Sequence, residues 1–383
     1  MLPLRVLVRR CVAFDLRVLI FLGLRPPVDP TMYRSIQICR AAAALLVLLL
    51  HLTVYLANPK YFGLSGIDDL FTFGRSGVEF FFVLSGFIIT FVHWSDFGNP
   101  AKLLTYAKKR VVRIYPTYWI IFAAVYLVAA SPLGNGVRLD IPTLVKTLAL
   151  LPQASSDPIS GTTSPILIVA WSLQYEILFY LLMAVFIVNR RVGGLICALL
   201  LINMFACRAG ACLVFAPYLQ TTFVLLFGLG AAIAFICKTS VKVRRPLFLA
   251  GIGACTFAVS GIIHVVTGEQ PILAYGIASA VIVLGFVKAE DSGKLKIKQD
   301  WAVSLGDASY ALYLMHYPLV GILCRLAVRS GLHGAVGAAI AAPVIVTTCL
   351  AASIGFNRLV ERPLLRAFAG RRGVQVPATP VRN

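Results

Sequence analysis

The chain has 383 residues, 59% of them hydrophobic and 13% charged, with a mean hydropathy of +0.87. A soluble domain carries about a quarter charged residues, so a globule built around one large core is excluded. The net charge of +20 would suit a nucleic-acid partner, but its placement between long apolar segments argues for a lipid bilayer and no nucleic acid.

The apolar segments predict an all-α polytopic membrane protein with about ten transmembrane helices, at about 36–57, 77–93, 114–130, 166–188, 192–207, 218–237, 246–266, 271–288, 308–328 and 335–357. Most approach the roughly 20 residues needed to cross; the second, third and fifth are short. Lysine and arginine concentrate in alternate loops. The other side keeps only Lys60, Arg75, Arg138, Lys146, Arg208 and Arg329. By the positive-inside rule this places both termini in the cytoplasm, which a wrong span count would scramble. Residues 34–366 therefore read as one membrane domain.

Residues 1–33 form a basic N-terminal extension ending in a proline-rich break. They read either as a surface-lying basic helix or as sequence upstream of the translated start, with Met32 the start residue just before the first span. The second reading is favoured.

In the first span, Arg40 and His51 flank ten unbroken apolar residues, AAAALLVLLL. Eleven helical steps of about 100° bring both to nearly one face, roughly 16 Å apart along the axis. Ionisable groups within a membrane helix are costly and usually face a bundle interior. The bland alternatives are an Arg40 that snorkels to the headgroups and a His51 satisfied by an interhelical hydrogen bond. The second span opens GVEFFFVLSGFIIT, with Glu79 near the outer surface and Gly77 and Gly86 suited to close helix packing.

At the mouth of the third span, KKRVVRIYP sets Arg110 and Arg113 three apart on one face. Positive-inside charge alone accounts for basic residues there, yet guanidinium forks also suit the phosphates of an anionic cytoplasmic donor. There is no Walker-type loop. The longest loop, about 131–165, falls on the non-cytoplasmic side, where its apolar stretch 141–151 is expected to lie along the interface. In the fourth span Ser172, Glu176 and Tyr180 share one face by i,i+4 spacing. Glu176 is expected near the level of His51, where it would orient the imidazole as a general base requires, or serve as a purely structural polar lock.

The ninth span carries Ser309, Tyr313 and His316 on one stripe, His316 roughly 12 Å above the cytoplasmic end. A lined polar path and a satisfied core histidine are both open readings. The nine cysteines show no metal-ligand or redox spacing and read as small packing residues, so no metal site is expected. Residues 367–383 read as a disordered cytoplasmic tail.

Taken in order, Arg40-x10-His51, GVEFFFVLSGF, RVVRIYP, WSLQYEILFY, GDASYALYLMH and the closing Glu361-Arg-Pro resemble the acyltransferase 3 family of integral membrane acyltransferases. The resemblance covers most of residues 34–365 and is strongest to the exopolysaccharide-modifying, O-acetylating branch. It implies transfer of an acyl group, commonly acetyl from acetyl-CoA, to a hydroxyl of a polysaccharide or lipid-linked oligosaccharide at the outer side of a bacterial inner membrane. Acyl-CoA would be a substrate, with no permanently bound cofactor, and polysaccharide-synthesis machinery a natural neighbour. Arg40 and His51 match the family's essential pair, and Arg110 and Arg113 its basic motif near the proposed CoA site. On this reading His51 is the base, with Glu176 or Glu79 orienting it, and Tyr313 and His316 belong to the donor path. Two departures stand out: Glu79 occupies a position where aspartate is frequent, and an extra-membrane SGNH-type domain is not expected. The main alternative is a secondary transporter or flippase without covalent chemistry, weakened by the lack of an internal repeat and of matched broken helices. An inert scaffold is disfavoured by buried Arg40, His51 and Glu176.

Overall fold

The computed structural model describes residues 33–131, 136–154, 160–212, 214, 217–239 and 241–369. Residues 1–32 and 370–383, to which most of the expected extension and tail belong, lie outside the described residues.

The membrane domain is all-α among the described residues. Its helices are α1 (Arg34–Ala57), α2 (Ser76–Val92), α3 (Leu103–Ala130), α4 (Ile141–Leu148), α5 (Trp171–Val188), α6 (Arg190–Arg208) and α7 (Phe223–Lys238). They continue with α8 (Pro246–Thr267), α9 (Ile272–Asp291), α10 (Asp300–Asp307), α11 (Ser309–Arg329), α12 (Gly334–Phe356) and α13 (Arg362–Ala369). Among the described residues, nine helical segments are long and apolar enough to cross a membrane. The sixth expected span is shorter, because its first residues form a separate turn, Pro217–Gln220, and the apolar helix starts at Phe223. The third is longer than expected: Leu103–Ala130 is one helix, so Arg110 and Arg113 sit on it rather than in a loop. Residues 367–369, expected in the tail, continue α13.

The first helix has no acidic residue in its own first turn. Glu290, at the end of α9, supplies the cap instead. Its carboxylate accepts from the backbone N–H groups of Arg34 (2.9 Å) and Ser35 (3.0 Å) and from the Ser35 hydroxyl (2.6 Å). An anion on those orphan donors also opposes the helix dipole.

Helices α1 and α10–α11 run side by side in the same direction. Arg34 pairs with Asp300 at one end. Next, Gly306 lies so close to α1 that an added Cβ would come within 2.1 Å of the Gln37 carbonyl oxygen. Further along, Gly321 lies against the Tyr55 hydroxyl. Leu48, Leu52, Leu312, Val320 and Ile345 fill the seam between α1, α11 and α12.

Two connecting segments are anchored against the bundle. Gly77 packs on the Ala43 carbonyl, near the midpoint of α1, so α2 begins inside the bundle. Glu79, expected near the outer surface, is for that reason fully buried. The loop that includes α4 is tied to α3 and α5, while Ile141 and Val145 of α4 stay exposed. The Tyr115 and Tyr118 hydroxyls and the Trp119 indole N–H donate to its carbonyls at Ala149, Thr147 and Leu148. Leu150 and Leu167 within it are buried, and Gln174 and Tyr175 of α5 hold it through Thr162, Thr163 and Ser160. Non-helical backbone is tolerated at membrane depth only where it is buried in protein or lines a cavity.

Two of the cysteines read as packing residues, Cys207 and Cys212, form a disulfide. Gly210 (φ +79°) turns the chain after α6 and brings the two together.

Replacing Gly306 with leucine should force α10 away from the α1 backbone. Overpacking of this kind costs about 1–3 kcal/mol, read as a lowered melting temperature of the purified protein in detergent. Gly228→Ala, where an added Cβ meets nothing within 4 Å, should leave the melting temperature unchanged.

Candidate active site

The register of α1 against α10–α11 decides which polar groups meet. His51 lies 17 residues beyond Arg34, and His316 lies 16 beyond Asp300. At about 1.5 Å per residue the two are level. The Nε2 of His316 is 3.2 Å from the Nδ1 of His51. His316 was expected nearer the cytoplasmic end because its depth was counted from residue 308; α10 adds two further turns below it.

The backbone assigns the tautomers. The Nδ1 of His51 is 2.9 Å from the Val47 carbonyl, and the Nδ1 of His316 is 3.1 Å from the Leu312 carbonyl. A carbonyl only accepts, so both Nδ1 atoms carry the proton. The Nε2 of His316 then accepts from His51, and the Nε2 of His51 keeps its lone pair. His316 is fully buried and His51 partly exposed, so the open imidazole edge belongs to His51. Tyr317 packs edge-on against His51 with ring centroids 5.1 Å apart, and Tyr55 packs on Tyr317 at 5.5 Å.

Glu176 does not join this pair. Helix α5 begins at Trp171, level with Tyr313: the Tyr313 hydroxyl meets Ser172 Oγ at 2.8 Å and donates to the Val169 carbonyl at 2.9 Å. Glu176 lies a further turn toward the Arg34 end, where it accepts from the Tyr180 hydroxyl at 2.5 Å. The expected Ser172, Glu176 and Tyr180 face exists, but it serves two levels. Glu79 likewise bonds the Gln270 amide and not His51.

The Arg34 end of the bundle holds a second, charged constellation. Arg40 is partly buried, donates to Gln37 Oε1 at 3.2 Å, and lies within Coulombic range of Arg113, Glu361, Asp307 and Glu176. Arg113 pairs with Glu361 at 2.7 Å, and its guanidinium stacks 5.3 Å from the Tyr310 ring. A π-turn at Asn357–Glu361 aims that carboxylate, and Asn357 donates to its other oxygen at 2.9 Å. Single π-turns frequently mark functional sites. Arg110 lies 5.9 Å from the Tyr106 ring and 5.6 Å from the Tyr180 ring, with its Nε buried and without a partner. Such stacking fixes a guanidinium without neutralising it.

His51, His316, Tyr313 and Ser172 are thus brought together at one level, and Arg40, Arg110, Arg113 and Glu176 at another. Sequence reasoning quoted Glu361 only within a closing motif and did not weigh Gln270. The sole sequence signal for Glu361 was a carboxylate placed just past a long apolar helix, flanked by arginine. Among the described residues no cluster of His, Cys, Asp and Glu could hold a metal ion.

Comparison with known proteins bears on this arrangement. The acyltransferase domain family matches residues 33–358. The exopolysaccharide production protein ExoZ of Rhizobium meliloti (strain 1021) is 29% identical over 320 residues, covering 79% of this chain and 93% of that protein. The acyltransferase MdmB of Streptomyces mycarofaciens is 26% identical over 350 residues, covering 81% of this chain and 85% of that protein. No solved structure matches.

Glu361 is fully buried, so removing it leaves Arg113 with an unbalanced charge. Breaking a buried pair from one side costs about 3–5 kcal/mol. Glu361→Ala should therefore lower thermal stability strongly, and the further change Arg113→Met should recover part of the loss in a double-mutant cycle.

Proposed function

Because the chain belongs to the acyltransferase domain family, and is a multi-pass membrane O-acyltransferase, we propose that it moves an acyl group, acetyl in the simplest case, from acyl-CoA to a hydroxyl of an exported polysaccharide. Membership of that family sets aside the transporter and flippase alternative. The inner membrane is the proposed location, with the Arg34 end cytoplasmic and the acceptor arriving from the opposite face. The exopolysaccharide assignment is supported by the likeness to ExoZ.

The single observation that carries the chemistry is the His51–His316 contact, which leaves the Nε2 of His51 as an open proton acceptor inside the bundle. In the proposed reaction the acceptor hydroxyl loses its proton to that Nε2 while its oxygen attacks the thioester carbonyl carbon. The C–O bond forms and the C–S bond breaks. The departing CoA sulfur then takes the proton from His51, so the enzyme returns to its starting state. Throughout, the Nδ1–H of His51 stays on Val47 and His316. His316 is thus the positioning residue in the place where Glu176 or Glu79 was expected.

The donor's phosphates are assigned to Arg110 and Arg113, whose guanidiniums are held on aromatic rings before any ligand arrives. Arg40, on the His51 face of α1 but at the level of Arg113 and Glu361, is assigned to the donor together with them. Glu176 holds Tyr180 against Arg110 and so shapes the donor site.

The test uses membranes containing the full chain, acetyl-CoA and the producing cell's own extracted polysaccharide, scored for free thiol. His51→Ala should lower the acceptor-dependent rate by about 10²–10⁴-fold, the usual worth of general-base catalysis, with protein level unchanged. His316→Ala should lower kcat while leaving the KM for acetyl-CoA in place, and Arg110→Ala should raise that KM. An undiminished rate in the His51 variant contradicts the mechanism.

A further inference from the structure

A line of aromatic rings starts at His51. Tyr317 lies edge-on to it with centroids 5.1 Å apart, Tyr55 lies 5.5 Å from Tyr317, and Tyr61 lies 5.3 Å from Tyr55. Each ring contacts the next, so the line reaches from His51 to the segment beyond α1 without a gap. All three tyrosines are half-buried, which leaves part of every ring open.

The local sequence builds this line. Tyr55 follows His51 by four residues, so one face of α1 carries both. Gly321 on α11 leaves room for the Tyr55 ring, since an added Cβ there would come within 2.7 Å of the Tyr55 hydroxyl. Past the end of α1 a turn returns Tyr61 onto Tyr55. The Tyr61 and Gly63 N–H groups donate to the Asn58 carbonyl at 2.9 and 3.2 Å, and Gly63 supplies the left-handed residue (φ +67°). Asn58, Pro59 and Lys60 on that turn are exposed. The line therefore opens at the end of α1 opposite Arg34.

Headgroup anchoring does not account for these rings. A belt of interfacial tyrosines occupies the rims of a bilayer. Tyr317 instead lies beside His316 near the middle of α11, at the depth of His51. Each phenol joins an apolar body to a polar tip and carries no fixed charge, so the ligand such a line suits is neutral and amphipathic. A sugar unit has that character. Its polarised C–H groups suit the negative face of an aromatic ring, and its hydroxyls suit phenol oxygens.

We infer that Tyr61, Tyr55 and Tyr317 form an acceptor track, along which successive units of a carbohydrate chain stack while one hydroxyl is led to His51. This rests on the proposed acyl transfer and names its acceptor-side contacts.

Without acetyl-CoA no transfer occurs, so acceptor binding can be read alone. The purified full chain in lipid nanodiscs is titrated by calorimetry with oligosaccharides cut from the producing cell's own polysaccharide. Tyr61→Leu, two rings removed from His51, should weaken binding about fivefold, the worth of one ring contact, and Tyr61→Phe should recover most of that loss. Tyr55→Leu should weaken binding by a similar factor. Acetyl-CoA affinity should be unaltered in each variant, which also reports that the protein is folded. With both substrates present, Tyr61→Leu should raise the acceptor KM about fivefold with the acetyl-CoA KM unchanged. Oligosaccharide binding that neither leucine variant weakens, or no binding by the unmodified chain, overturns the track and leaves the tyrosines as packing alone. If the unmodified chain releases no thiol with this polysaccharide, yet binds it in a Tyr61-dependent way, the track stands and the acyl-transfer reading falls.

Discussion

The parallel packing of α1 against α10–α11 is the constraint on which the site depends. Arg34 on Asp300, the Gln37 backbone on Gly306, and the Tyr55 hydroxyl against Gly321 fix one register over the length of both helices. A slip of one residue would turn His51 by about 100° relative to His316 and separate them. With the register fixed, ring nitrogens of the two imidazoles meet at 3.2 Å, His316 fully buried and His51 keeping an open edge. Each backbone carbonyl one turn earlier takes one Nδ1 proton, and this leaves a single open Nε2 edge.

The rest of the molecule builds two environments around that edge. Toward the Arg34 end, guanidiniums are held by aromatic rings and by one buried carboxylate, Glu361, so positive charge is set in position in advance. Toward the other end, the start of α2 and the segment before α5 pack against neighbouring helices, and polar groups such as Glu79 and Ser172 are buried within the bundle. In the proposed reaction an acyl donor and a hydroxylic acceptor meet at one histidine, in keeping with membership of the acyltransferase domain family.

Much of this was legible in the sequence, and the failures have physical causes. Hydropathy and the placement of basic residues located every long helix, since lipid leaves few alternatives to a helix for apolar stretches of that length. The Arg40 and His51 stripe was visible because it needs only the helical repeat. Partners across the bundle were not, because they depend on depth, and depth was miscounted wherever a helix did not start at the edge of its apolar run. Starting α5 at Trp171 rather than residue 166 moved Glu176 away from His51, and α10 raised His316 to meet it. Glu79 was misplaced for the same reason, since α2 begins inside the bundle. Glu361 and Gln270 lie at a π-turn and in a short loop, where no periodicity signals orientation. The Cys207–Cys212 disulfide depends on a turn at Gly210 that cysteine spacing alone does not reveal.

The central claim is the direction of the proton between two rings, and the chain has only five histidines, so it can be read in isolation. Nitrogen-15 spectra of the histidine-labelled full chain in lipid nanodiscs, assigned by single His→Gln variants, would report it. The account predicts an Nδ1-protonated, Nε2-bare His51 and a through-hydrogen-bond coupling between its Nδ1 and the Nε2 of His316. A His51 protonated at Nε2, or an absent coupling with both rings ordered, would contradict it.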